Sequence, residues 1–180
     1  MRIKHIMNPS GYRINTSAKN AVLLGLGMSM SALLLAFHPM SHARQDNQNL
    51  KMVHPVPQAK LTSSYGVENK MHKFHNGVDL AAQIDTPIKA AAAGKVVTAT
   101  ENLKGFKNYG TIIVIDHGNG LQTLYSHLNT LNVTEGEWVQ SGQLIGGVGE
   151  TGRATGPHVH FEVIKNGERV DPKNYVVIDS

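Results

Sequence analysis

The chain has 180 residues, with 17 lysines and arginines against 13 acids, ten histidines and no cysteine. A length of this order suits one domain with at most an appendage. The lack of cysteine excludes a disulfide framework, a thiolate metal site and a lipid-modified N-terminal cysteine, so any metal must be held by histidine or carboxylate.

The first 43 residues read as an export signal. Arg2, Lys4, Arg13 and Lys19 form a basic, acid-free leader, and an apolar run from Ala21 to Phe37 follows. His38-Pro39 breaks this signal helix, and Ser41-His42-Ala43 offers the small residues a signal peptidase reads, with cleavage expected after Ala43. An uncleaved membrane anchor is the alternative, since the run is nearly long enough to span a bilayer. Four of the basic residues and none of the acids lie in the leader, which leaves 13 of each in a formally neutral remainder. The basic balance therefore belongs to the leader, and the remainder lacks the electrostatic footprint of a nucleic-acid binder. No nucleic-acid partner is expected, and membrane contact only through an uncleaved leader.

Residues 44–60 are polar, contain Pro55 and Pro57, and show no apolar period, which predicts an extended linker. Residues 61–176 form the expected globular domain. Gly94–Thr100 and Thr111–Asp116 have strand composition, and Asn119-Gly120 is a hairpin turn leading into the alternating Leu121–Tyr125. Glu137–Gln140, Gln143–Ile145 and His158–Ile164 continue the pattern, and Asn166-Gly167 marks another tight turn. Short strands with glycine-rich turns and no amphipathic helix after residue 44 predict an all-β fold. It would be a mostly antiparallel sheet or sandwich, akin to a duplicated hybrid motif.

The chemistry is concentrated in two segments. His75 and Asp79 stand four apart with Gly77 between them, a spacing that lets both side chains converge in a turn and also puts them on one face of a straight strand. In His158-Val-His-Phe-Glu162 the two-residue period places both imidazoles and Glu162 on one face, with Val159, Phe161 and Val163 on the other. Either pair alone is more often structural than metal-binding. Together, two histidines and an aspartate make an open site of three protein ligands with one position left for water.

His75-Asn-Gly-Val-Asp79 and His158-Val-His-Phe-Glu162 resemble the H-x-G-x-D and H-x-H-F-E segments of lysostaphin/LytM-type peptidoglycan metalloendopeptidases. Tyr125-Ser-His127-Leu, the glycine-rich run Gly149 to Pro157, Asp85–Ala90, Gly94-Lys-Val and Val133–Ile145 resemble further segments in the same order. Arg153-Ala154 departs from the small polar pair more usual before Thr-Gly-Pro. The resemblance implies one Zn²⁺ held by His75, Asp79 and His160. It leaves His127 and His158 free for proton transfer, with His158 favoured as the base. It also implies hydrolysis of peptidoglycan peptides, either cross-links or stem peptides, in the periplasm or at the cell surface.

Two other classes fit parts of the pattern. A non-catalytic wall-binding relative that activates another hydrolase would be expected to lack ligands. A lipoyl- or biotin-like carrier has the rhythm of Val133–Ile145 but needs a lysine at a hairpin tip. Of the remaining residues, His117 reads as structural, and His72 fits no ligand spacing. Glu162 reads either as an acceptor orienting a ligand imidazole or as a solvent-facing acid. Tyr125 and Trp138 read as packed aromatics. His54, in the linker, could lie across the cleft and occupy the open metal position in a latent form.

Overall fold

The computed structural model describes residues 51–68, 73–101, 104–105 and 107–179. The leader at 1–43, the first part of the expected linker and His72 lie outside the described residues. Described here is the compact unit that begins at Asn47.

Among the described residues eleven strands make up nearly all of the regular structure: β1 (Lys60–Ser63), β2 (Val78–Ala81), β3 (Pro87–Lys89), β4 (Gly94–Thr100), β5 (Ile112–Asp116), β6 (Leu121–Ser126), β7 (Thr130–Leu131), β8 (Trp138–Val139), β9 (Leu144–Gly147), β10 (His158–Lys165) and β11 (Glu168–Val170). Two three-residue 3-10 turns, Lys107–Tyr109 and Pro172–Asn174, are the only helical elements among the described residues. The larger sheet runs β1-β2-β10-β6-β5-β4-β8 with β11 on β10, and the smaller runs β3-β9-β7. All the strand pairs are antiparallel, as expected.

The two sheets share one apolar core. Ile88 of β3 and Ile145 of β9 cluster with Val78, Leu80, Tyr125 and Phe161 of the larger sheet, all fully buried. The expected hairpin turns form where Asn119-Gly120 and Asn166-Gly167 lie, each with both residues at positive φ. β10 is an interior strand of the larger sheet, between β2 and β6. Its Val159, Phe161 and Val163 enter the core, so the pleat turns His158, His160 and Glu162 to the other face.

Two readings need correction. Met52 and Val56, expected in a linker, are core residues. The segment is tied down by long-range pairing, with Val53 N–H donating to Ala91, Lys89 N–H donating to Pro55, and a Met52–Val176 bridge. Its polar composition conceals this, because the pairing partners are distant in sequence. Trp138, expected to pack, is 62% exposed. It stands on the two-residue strand β8 opposite exposed Lys95, while its neighbour Val139 points inward.

Candidate metal centre

Asp79 and His160 are directly opposed residues of β2 and β10, so sheet register alone places them side by side. His75 comes from the loop before β2, and its approach depends on Gly77. A Cβ at that position would collide with the Phe161 carbonyl oxygen of β10, so only glycine lets the chain run this close. The convergence of His75 and Asp79 is thus a loop-to-strand geometry and not the same-face alternation of a straight strand.

The ligand-type atoms of His75, Asp79 and His160 all lie within 4.8 Å of one another. His75 Nε2 is 3.1 Å from Asp79 Oδ1 and 3.0 Å from His160 Nδ1, and His160 Nδ1 is 2.8 Å from the same carboxylate oxygen. The outward nitrogens fix the tautomers. His75 Nδ1 faces the Ser64 carbonyl at 2.9 Å, and a carbonyl can only accept, so the proton sits on Nδ1 and the Nε2 lone pair points inward. His160 Nε2 donates to Glu162 Oε1 at 3.1 Å. Two electron-rich atoms, His75 Nε2 and Asp79 Oδ1, therefore converge on His160 Nδ1. Either a proton on that nitrogen or a metal cation bound by all three atoms satisfies the arrangement, so the donor set fits a metal.

The electrostatics follow from these contacts. Burial would raise the Asp79 carboxyl, but the hydrogen bond from His160 and the positive charge on that ring hold it well below the usual carboxylate range. Burial would lower His160. Its hydrogen bonds to Asp79 and Glu162 and the charge on both carboxylates overcome that and raise it to about 9.

Glu162 is fully buried, so the structure selects the orienting acceptor over the solvent-facing acid. Besides His160, it accepts from Tyr109 Oη at 2.8 Å and from Arg169 Nε at 2.7 Å. Burial would raise Glu162, and these donors with the charge on His160 and Arg169 instead lower it. A buried carboxylate is stable only when compensated in this way. Tyr109 and Arg169 escaped the sequence reading because they stand 53 and 7 residues from Glu162 with no shared period.

His127 and His158 face the same cleft, with ring centroids 4.7 Å apart. His127 Nδ1 donates to the Thr151 carbonyl and His158 Nδ1 to the Gly156 carbonyl, each at 2.8 Å, so both present the Nε2 lone pair on the remaining side of the ring. His158 Nε2 lies 3.8 Å from Asp79 Oδ1. Burial, reinforced by the charge of His158 and His160, lowers His127 to about 4 against the opposing Thr151 hydrogen bond and Asp79 charge. His127 also has φ +67°, a left-handed conformation costing roughly 1–2 kcal/mol outside glycine. Hydrogen bonds from its N–H to Tyr109 and from Leu128 N–H to Thr111 hold it there.

The five residues singled out from sequence thus line one cleft of about 380 Å³, together with Thr62, Ser63, Phe74, Asn76, Asn108, Tyr109, Arg153 and Thr155. His54 is not among them. Its segment packs against Ala91 and Lys89, and its Nδ1 accepts from Val56 N–H, so it does not cover the metal position. His117 bridges Ala93 and Thr123 in a structural role, and fully buried Tyr125 packs as expected.

Comparison with known proteins agrees with this geometry. Residues 73–172 match the profile of Peptidase family M23. The DD-carboxypeptidase/endopeptidase Mpg of Neisseria meningitidis is 41% identical over 127 residues, 67% of this chain but only 28% of that protein. The catalytic domain of the antimicrobial peptidase lysostaphin from Staphylococcus simulans superposes with a TM-score of 0.59 at 33% identity, covering 65% of this chain and 91% of that one. A zinc-containing peptidase from Vibrio cholerae superposes equally well, with a TM-score of 0.59 at 33% identity over 68% of this chain and 38% of that one.

Proposed function

The chain belongs to Peptidase family M23, and from that premise we propose that it is a zinc-dependent endopeptidase hydrolysing peptide bonds of bacterial peptidoglycan, with the metal held by His75, Asp79 and His160. The observation that carries this is the convergence of His75 Nε2, Asp79 Oδ1 and His160 Nδ1 within 4.8 Å in an open cleft. Two further histidines line that cleft without belonging to the trio. Two nitrogens and one carboxylate oxygen, with a side left for water and substrate, form the donor set of a catalytic zinc site and not of a closed structural one. Zinc bound there would supply Lewis acidity, lowering the pKa of a coordinated water to about 7 and polarising the scissile carbonyl.

The protein's own residues carry the proton traffic. His158, with Nε2 3.8 Å from Asp79, is the proposed general base. Its Nδ1 hydrogen bond to the Gly156 carbonyl keeps the lone pair on Nε2, so the proton it takes arrives on that nitrogen. His127 is neutral at physiological pH because burial holds it near 4. The proton that His158 takes from the water is the one the departing amine needs, delivered by His158 itself or relayed by neighbouring His127, whose ring centroid is 4.7 Å away. Glu162, backed by Arg169 and Tyr109, orients His160 so that Nδ1 faces Asp79.

The substrate lies outside the inner membrane, so the protein acts in the periplasm or at the cell surface. Similarity to the peptidoglycan DD-endopeptidase ShyA of Vibrio cholerae, 45% identical over 97 residues, 54% of this chain but 22% of that protein, supports peptidoglycan peptides as the substrate class. Mass spectrometry of muropeptides released from defined sacculi tests this. Cleaved cross-links or stem peptides are expected, with the products abolished by chelator and restored by zinc. Products indifferent to chelator would refute the metal mechanism.

A further inference from the structure

The cleft has walls of different chemistry. Beside His75, Phe74 is 50% exposed and stacks edge-on against Tyr65, with ring centroids 5.2 Å apart, giving an apolar surface. On the side of His127, Asn108, Arg153 and Thr155 contribute polar atoms and one permanent positive charge. Among the cleft-lining residues Asp79 is the only carboxylate, and His75 and His160 engage it. Buried Glu162 is committed to Arg169. Arg153 is exposed where it lines the cleft, and among the described residues no carboxylate pairs with it, so its charge is open to a ligand as well as to solvent. A divalent cation at the proposed centre would make this end of the cleft more positive still.

The attachment point of Arg153 is fixed more firmly than that of an ordinary loop residue. Its N–H donates to the Asn108 carbonyl at 2.9 Å. Just before it, Gly152 lies so close to Gly110 that a Cβ on either would strike the other's strand of backbone. Thr151 Oγ1 accepts from Thr111 N–H at 3.0 Å, and the Thr151 carbonyl is the group that holds His127. One frame therefore carries both the proposed proton-transfer residue and the backbone from which the Arg153 side chain projects. A planar guanidinium offers a fork of donors matched to a carboxylate, and such charge-assisted pairs are stronger than neutral hydrogen bonds.

We propose that Arg153 forms a carboxylate-binding subsite beside the catalytic centre, and that it selects peptides bearing a free carboxylate on the His127 side of the scissile bond. This rests on the endopeptidase reading, and Arg153 is a specificity residue within it. Side-chain or terminal carboxylates of the peptide are equivalent in this chemistry.

The test uses a purified cross-linked muropeptide dimer and the same dimer with its carboxylates amidated. With zinc-loaded protein, Arg153→Gln should lower kcat/KM on the free dimer about tenfold, chiefly through KM. It should leave the amidated dimer unaffected. Arg153→Lys should recover part of the loss. Equal losses on both dimers, or none on either, would overturn the subsite. Titration calorimetry with both dimers on the His158→Ala background separates this from the endopeptidase reading. If the wild type cleaves neither dimer, that reading fails. The subsite then still requires about tenfold tighter binding of the free dimer, erased by Arg153→Gln, and equal binding of the two dimers overturns it.

Discussion

The two halves of the cleft are built on different principles. In the half proposed to hold the metal, Asp79 and His160 are cross-strand neighbours on adjacent interior strands, and a fully buried carboxylate with its own arginine and tyrosine stands behind His160. In the half proposed for proton transfer, His127 and His158 are held by single hydrogen bonds to backbone carbonyls, and His127 sits at a strained left-handed position just past the end of β6. The first half is a charge network in which each member sets the state of the next. The second is a pair of imidazoles whose environments differ in burial more than in partners. Removing a residue should therefore have different consequences in each.

The largest effects should fall on the metal half. Asp79→Asn or His160→Ala should lose both zinc and activity, read by metal analysis of the purified protein and by muropeptide release. His127→Ala and His158→Ala should each cut kcat by about 10²–10⁴-fold while retaining one zinc per chain. Loss of zinc from both variants would dissolve the distinction between the halves. Smaller is the effect of Glu162→Gln, which keeps the shape but removes the charge behind His160. Zinc affinity, measured by competition with a chelator, should drop by about 10–100-fold. Tyr109→Phe, which removes one of several hydrogen bonds to Glu162, should cost about 1 kcal/mol in thermal or chemical unfolding and leave zinc content intact.

The same contrast predicts a pH dependence. In the metal-free protein His160 is raised to about 9, against an ordinary value of about 6.5 in the unfolded chain. A raised pKa contributes stability that is fully present below about pH 6.5 and lost as pH rises through about 9. Chelated protein should therefore show a falling Tm over that interval. Zinc-loaded protein should not, because the cation replaces the proton on His160 Nδ1. His127, lowered to about 4, should contribute no titration in this window.

Much of the site was legible because β10 carries its chemistry in an uninterrupted two-residue period. His158, His160 and Glu162 announce one face and Val159, Phe161 and Val163 the other, and the structure keeps both. The Asn-Gly turns were legible for a similar reason, since left-handed residues at a hairpin tip are a local requirement. What escaped depends on contacts between distant segments. Val56 is buried in a segment whose neighbours Val53 and Pro55 are hydrogen-bonded to Ala91 and Lys89, more than thirty positions away, which no local pattern encodes. Strand β1, Lys-Leu-Thr-Ser, is a half-buried edge with no strong alternation. Arg169 reads as an ordinary hairpin residue until the sheet brings it against Glu162. Gly77 was noticed, but its reason, the approach of the Phe161 carbonyl, belongs to the assembled sheet.

The central claim is that one metal ion is held by His75, Asp79 and His160, with His127 and His158 outside its ligand set. Anomalous diffraction from zinc-soaked crystals tests this most directly. A single anomalous peak within coordinating distance of His75 Nε2, Asp79 Oδ1 and His160 Nδ1 is the predicted result. A peak ligated by His127 or His158, or no peak in this cleft at saturating zinc, would contradict the account.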